Sequence, residues 1–367
     1  MKRIEIFAVS LLLALGLARS TSACTDFRLT AKDGTVLITR SMEFALDLKS
    51  TLCTSNRDRT FTMTSSDGKP GLTWKAKYGY VFLNGLNIDM AVDGMNEKGL
   101  SFEALYLPQF AEYQTVPAGH SQEALPYVHL GDWILGNFET VDQVREALNR
   151  VFVFAQKQPQ TGDTIFPLHF AIYDATGKGI VVEYINGKLT VDDNKLGVMT
   201  NSPSYNWHIT NLENYAHLRP QNPKPIMENG MLFAVNGQGF GMIGLPGDIS
   251  PPSRFVKIAT FLQVVSQPNT AIDTLNLAEH IINNVDIPLG LAREPDNGNL
   301  TNETTEWVVF KDLTHKTFYY RTYGDMALRT VSLAKLDFSS RASRLQMPIA
   351  APEMIQDMTG QFIKATV

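Results

Sequence analysis

Residues 21–43 read Thr21-Ser22-Ala23-Cys24-Thr25-Asp26-Phe27-Arg28-Leu29-Thr30-Ala31-Lys32-Asp33-Gly34-Thr35-Val36-Leu37-Ile38-Thr39-Arg40-Ser41-Met42-Glu43. The first three are the small residues that close a secretion signal, so signal removal leaves Cys24 as the first residue of the mature chain. One residue then carries both a thiol and an α-amine. The thiolate is a strong nucleophile, and the α-amine ordinarily titrates at roughly 7.7–8.0, close to working pH. Nucleophile and general base can be the same amino acid, with no His required. Downstream, strand-like residues 24–31 and 35–40 flank Asp33-Gly34, a two-residue hairpin signal. A two-residue turn there pairs Lys32 with Thr35, which sets Glu43 opposite Cys24 and keeps Arg40 within a few residues of it.

The preceding residues fit export. Lys2 and Arg3 form a basic start, and residues 7–17 form an apolar run that ends before Arg19. That run is too short for a convincing membrane span. Residues 1–23 are therefore read as a signal peptide and 24–367 as a single catalytic domain, secreted or periplasmic after cleavage. One rival is an uncleaved anchor. Another is a lipoprotein acylated on Cys24, but that signal usually has Leu three positions before the Cys, where this chain has Thr21.

The 367-residue chain is 44% hydrophobic, ample for a buried core, and its formal charge is −5. The signal holds three basic residues and one acidic one, so the chain from Cys24 sits near −7. Nothing in that balance points to a nucleic-acid partner. Cys24 and Cys53 are the only cysteines. One disulfide is no framework for a domain this size, and Cys53 reads as a buried apolar residue.

Strands dominate the first hundred residues, with further candidates at 79–82, 88–92 and 100–107. Residues 122–138 read as a helix, and Thr140 with Gln143 makes a capping-box pattern before Val141, Val144, Leu148 and Val151. Strands resume at 168–173, 180–185 and 188–191. Ser250-Pro251 opens another helix, 274–285 reads as helical, and 306–310 with 317–322 form a late hairpin. This blockwise order predicts α+β layers with mainly antiparallel sheets.

Cys24-Thr25-Asp26-Phe27 with Arg40-Ser41-Met42-Glu43 resembles the start of the choloylglycine hydrolases. These are N-terminal nucleophile hydrolases that comprise conjugated bile salt hydrolases and penicillin V acylases. The resemblance continues at Asp93-Gly94-Met95-Asn96-Glu97-Lys98-Gly99-Leu100, at Met199-Thr200-Asn201-Ser202-Pro203, and at Leu245-Pro246-Gly247-Asp248 running into Ser253-Arg254-Phe255. It implies a four-layer αββα sandwich, a homo-oligomer (a tetramer), a small-molecule N-acyl amide substrate and no cofactor. No stable membrane insertion is expected.

Carried over residue by residue, the resemblance makes Cys24 the nucleophile and its α-amine the proton carrier. Arg40 and Glu43 match the family's Arg and acid beside the nucleophile, Asn201 its side-chain oxyanion donor, and Arg254 its later arginine. The second oxyanion position falls at Tyr106. Bile salt hydrolases generally carry Asn there and penicillin acylases often Tyr, which ranks penicillin V and N-acyl homoserine lactones above conjugated bile salts. Glu43 stands where the family usually has Asp, one methylene shorter. The reaction implied is amide cleavage through an acyl-thioester on Cys24. The alternatives are a conjugated bile salt hydrolase, and a lipid-tethered, inactive binding protein of the same fold.

Other signals carry less. His169 and His208 lack metal-ligand spacing and read as structural or exposed, with no catalytic metal expected. The tryptophans could line an acyl pocket but read more simply as core. Asn299-Leu300-Thr301 and Asn302-Glu303-Thr304 are glycosylation patterns predicted on a surface loop.

Overall fold

The structure is a computed structural model that describes residues 23–296, 299–350 and 355–356. The proposed signal, residues 1–22, lies outside the described residues. Two large sheets stack face to face. In the first, the strands run in the order Val198–Met199, Cys24–Thr30, Val36–Phe44, Asn299–Asp312, Thr317–Thr322 and Asp325–Ser332, with Ala292–Asp296 paired to the early part of 299–312. The second runs Lys188–Asp193, Gly179–Ile185, Leu168–Tyr173, Ser101–Tyr106, Ile88–Asn96, Tyr80–Gly85, Thr51–Ser55 and Gln346–Pro348. Strand pairing within both sheets is antiparallel.

Helices Pro251–Val264 and Ala271–Ile282 pack on the outer face of the first sheet. Leu130–Asn137 and Val141–Leu148 cover the second. Helix, sheet, sheet, helix gives the four-layer αββα sandwich of N-terminal nucleophile hydrolases. No helix among the described residues is long and apolar enough to cross a membrane.

The first hairpin departs from the expected register by one residue, and this decides the geometry of the site. Ala31 N–H bonds the Thr35 carbonyl at 2.9 Å, so the loop holds three residues, Lys32 to Gly34. Gly34 sits at φ +89°, the left-handed closing position of a three-residue hairpin loop. Cys24 therefore pairs with Met42, not Glu43. Because side chains alternate along a strand, the shift puts Arg40 and Met42 on the face shared with Cys24 and turns Glu43 to the opposite one.

Two other expectations change. The helix expected at 122–138 begins only at Leu130. Residues Ala124–Pro126 instead pair parallel with Phe152–Phe154, as suits a segment whose Pro126 has no N–H to continue a helix. The glycosylation patterns lie not on a loop but on strand Asn299–Asp312, where Asn302 pairs with Arg293 and Thr304 with Phe44. The helix at Ser250-Pro251 begins where the sequence places it, and Leu168–Tyr173 and Thr317–Thr322 match residue for residue.

The space between the sheets is not wholly apolar. Lys311 Nζ bonds Asp93 Oδ1 at 2.7 Å and also Glu103, and Arg40 Nη1 lies 3.3 Å from Asp93 Oδ2. All four side chains are fully buried. Burial alone would lower the Lys311 ammonium, but the two carboxylates outweigh it and hold its pKa above the ordinary lysine range. Burial pushes the Glu103 carboxyl up to about 7, with Lys311 opposing.

Candidate active site

Cys24 opens strand Cys24–Thr30 on the face that looks toward the second sheet, and it is buried. Its Sγ stands 3.7 Å from Arg40 Nη2 and 3.8 Å from Met42 Sδ. The Arg40 guanidinium is held from three sides: Nη1 donates to the Val92 carbonyl at 3.2 Å and to Asp93, and Nη2 donates to the Ala104 carbonyl. The guanidinium also lies over the Trp307 ring, 5.2 Å from its centroid. Burial pushes the thiol pKa up, the Arg40 charge pulls it down most strongly, and the Glu43 carboxylate adds an upward push. Arg40 is thus the group that most favours thiolate.

The backbone nitrogen of Cys24 donates to Asn201 Oδ1 at 2.6 Å. Asn201 Nδ2 donates one hydrogen to the Tyr106 carbonyl at 2.9 Å, and a side-chain amide has a second hydrogen to give. The segment carrying Asn201 is braced. His208 Nε2–H donates to the Asn201 carbonyl at 2.8 Å, and His169 Nε2 bonds the Thr200 carbonyl at 2.8 Å. Burial lowers the His208 pKa to about 4, so the ring is neutral at working pH.

Arg254 gathers the same atoms from the outer face. Nη2 donates to Asn201 Oδ1 at 2.7 Å, while Nη1 donates to the Cys24 carbonyl and to Thr25 Oγ1. Its helix starts where Asp248 Oδ1 accepts from Ser250 N–H at 2.9 Å and Asp248 Oδ2 from Ser253 Oγ–H at 2.7 Å. The Gly247-Asp248 turn thereby fixes the first turn of the helix and aims Arg254 at Cys24.

Glu43 meets the site differently from the expectation. Its carboxylate accepts from Thr305 Oγ–H at 2.7 Å, on the outer face to which the register turns it. Its backbone N–H donates to the Ala23 carbonyl at 3.0 Å. Burial pushes the Glu43 carboxyl up to about 8, against the pull of Arg254. Tyr106 lies at the end of strand Ser101–Tyr106, with its ring edge-on to Phe44 at 6.2 Å between centroids. The structure brings Cys24, Arg40, Tyr106, Asn201 and Arg254 into one constellation, with Glu43 at its outer side.

The thiol faces a cavity of about 60 Å³ lined by Met42, Phe44, Leu48, Leu86, Met90, Val92, Tyr106, Phe166 and Leu168. Arg40 is the charged residue in this lining, and it is spent on the sulfur and its acceptors. None of the tryptophans at 74, 133 and 207 lines it: Trp74 and Trp133 are core beyond the second sheet, and Trp207 is exposed. Among the described residues no group of three or more His, Cys, Asp or Glu is placed to hold a metal ion. Both cysteines are unpaired, and Cys53 is buried as expected.

The family model of linear amide C–N hydrolases, the choloylglycine hydrolase family, matches residues 24–346. The chain belongs to the choloylglycine hydrolase family. It is 33% identical over 321 residues to a bile salt hydrolase/transferase of Clostridium perfringens, covering 85% of this chain and 93% of that protein. It is 27% identical over 383 residues to a penicillin V acylase of Pectobacterium atrosepticum, covering 98% and 94%. A crystal structure of a variant conjugated bile acid hydrolase from Clostridium perfringens superposes with a TM-score of 0.79 at 28% identity, over 92% of this chain and all of that one. The chain is accordingly a linear amide hydrolase.

Several residues at the site carry little signal in the sequence. Lys311, from a strand far along the chain, bonds the Asp93 carboxylate that in turn holds Arg40. Glu183 accepts from the backbone N–H of Tyr205 at 3.0 Å and bonds His169, which ties down the Asn201 segment. Glu303 accepts from the Ala23 N–H. A charged residue inside an apolar strand pattern was the available clue for Lys311, which sits between Phe310 and Asp312 in a strand buried on both faces.

Proposed function

We propose that the mature chain begins at Cys24, is secreted or periplasmic, and cleaves a linear N-acyl amide through an acyl-thioester on Cys24. Residues 1–23 are its signal peptide, and 24–367 its catalytic domain. The α-amine takes the thiol proton, and sulfur attacks the amide carbonyl. The spare N–H of Asn201, with a backbone N–H near Tyr106, stabilises the oxyanion. The ammonium then protonates the leaving nitrogen, and water activated by the same amine releases the acid. The start of the family match at Cys24 supports this reading of the mature terminus.

The observation that carries the reading is the thiol, beside a fixed guanidinium, opening on an apolar cavity. An apolar lining with aromatic rings from Phe44, Tyr106 and Phe166 suits an uncharged acyl group. At about 60 Å³ the cavity is well below the roughly 150 Å³ that takes one benzene ring. A slim acyl chain suits a cavity of that size better than a fused steroid does. Penicillin V and N-acyl homoserine lactones therefore rank first. A second reading, conjugated bile salts, is favoured by the 33% identity to the Clostridium perfringens protein. Hydrolysis rates on phenoxyacetyl, N-acyl homoserine lactone and glycine- or taurine-conjugated bile amides separate the two. Equal turnover on all three contradicts the ranking.

A further inference from the structure

Glu303 lies on strand Asn299–Asp312, which runs beside Val36–Phe44, and it is 4% exposed. Its carboxylate accepts a hydrogen bond from the N–H of Ala23, the residue that signal cleavage removes. Ala23 is itself buried, with its carbonyl held by the Glu43 N–H at 3.0 Å. The nitrogens of Ala23 and Cys24 are three covalent bonds apart, roughly 3–3.7 Å. The Glu303 carboxylate therefore looks into the space that the α-nitrogen of Cys24 faces once Ala23 has gone.

Cleavage also changes the charge there. Before it, the Cys24 nitrogen is a neutral amide, and two buried carboxylates, Glu43 and Glu303, act on the Arg254 guanidinium. Burial holds the Glu43 carboxyl up at about 8 even with Arg254 nearby, as suits a site with more carboxyl groups than cations. Cleavage converts the amide to an ammonium and brings a second positive charge. An ammonium has three donors. One already has its acceptor in Asn201 Oδ1 at 2.6 Å.

We propose that Glu303 receives a second donor of the mature Cys24 ammonium and is the positioning residue that turns it toward the thiol. Glu43, which matches the family's acid beside the nucleophile, here has its carboxylate accepting from Thr305. The proposal rests on the reading that the mature chain begins at Cys24. The shared proton passes from sulfur to nitrogen and then to the leaving amine. A carboxylate beside the nitrogen stabilises the protonated amine, so its removal makes that proton leave at lower pH.

The test is the pH profile of kcat/KM for wild type and Glu303→Gln on one acyl amide, with each mature N-terminus fixed by intact mass. The alkaline limb, where the thiol–amine pair loses its shared proton, is expected to move acidward by about one unit. At the optimum, kcat is expected to fall by about tenfold with KM changed less than about twofold. Glu303→Asp is expected to restore part of both. If Glu303→Gln does not fold, the Asp variant carries the test, with a limb between the two positions. Coincident profiles with a mature Cys24 terminus overturn the proposal alone. A mature chain that starts elsewhere, or turnover by Cys24→Ala, overturns the underlying reading and the proposal together.

Discussion

Arg40 Nη2 stands 3.7 Å from Cys24 Sγ, and the guanidinium is fixed there by the carbonyls of Val92 and Ala104 and by Asp93. The thiol is buried, which favours its neutral form, so the arginine is the main counterweight. Arg40→Ala is expected to raise the thiol pKa by at least about one unit and to slow alkylation of Cys24 at pH 7 by about tenfold. The rate of iodoacetamide labelling against pH measures this directly. An unchanged labelling profile contradicts the role.

Asn201 touches the Cys24 nitrogen, Arg254 and the Tyr106 carbonyl with one side chain. Asn201→Ala removes both the acceptor for the amine and the spare donor for the oxyanion. The expected loss is about 10²–10³ in kcat, with a smaller effect on KM. Steady-state kinetics on a single acyl amide checks it, and a loss confined to KM counts against the oxyanion role.

Lys311 is the buried cation shared by Asp93 and Glu103. Lys311→Met leaves those carboxyls without it and is expected to cost about 3–5 kcal/mol of stability. The double variant Lys311→Met with Glu103→Gln is expected to recover part of that loss. Urea unfolding of the two variants gives both numbers. A single variant as stable as wild type means that the cluster is not a stabilising pair.

Glu306 sits at the bulge of strand Asn299–Asp312 and accepts the Leu48 N–H at 3.1 Å. Burial raises its carboxyl from the ordinary 4.5 to about 7, with the Leu48 hydrogen bond opposing. Between those values the folded state holds a proton that the unfolded chain has released. Its contribution to stability is therefore full below pH 4.5 and is lost as pH rises toward 7. Glu306→Gln is expected to flatten the urea midpoint across that window. Parallel curves for both proteins would show that Glu306 does not titrate there.

The α+β layering is legible in local patterns, and most of the site is legible through the resemblance to the choloylglycine hydrolases. Asp33-Gly34 marks the first hairpin, Ser250-Pro251 starts the helix that carries Arg254, and the blocks around Asp93 and Asn201 place their residues. What the sequence does not show is register. A three-residue loop in place of a two-residue turn exchanges Met42 for Glu43 opposite Cys24 and sends the carboxylate to the outer face. Long-range partners are equally hidden. Lys311 and Glu303 reach the site only through the pairing of strand Asn299–Asp312 with Val36–Phe44, and nothing local announces that pairing. Glu303 even lies within a surface-loop pattern.

The central claim is that Cys24, as the first residue, is the nucleophile. The most direct measurement is hydrolysis of linear acyl amides by mature wild type and Cys24→Ala, both confirmed as folded and with their N-termini fixed by mass. The expected result is turnover by wild type from an unmodified Cys24 terminus and none by the variant. An undiminished rate in Cys24→Ala, or a lipid adduct on Cys24 of the active protein, contradicts it.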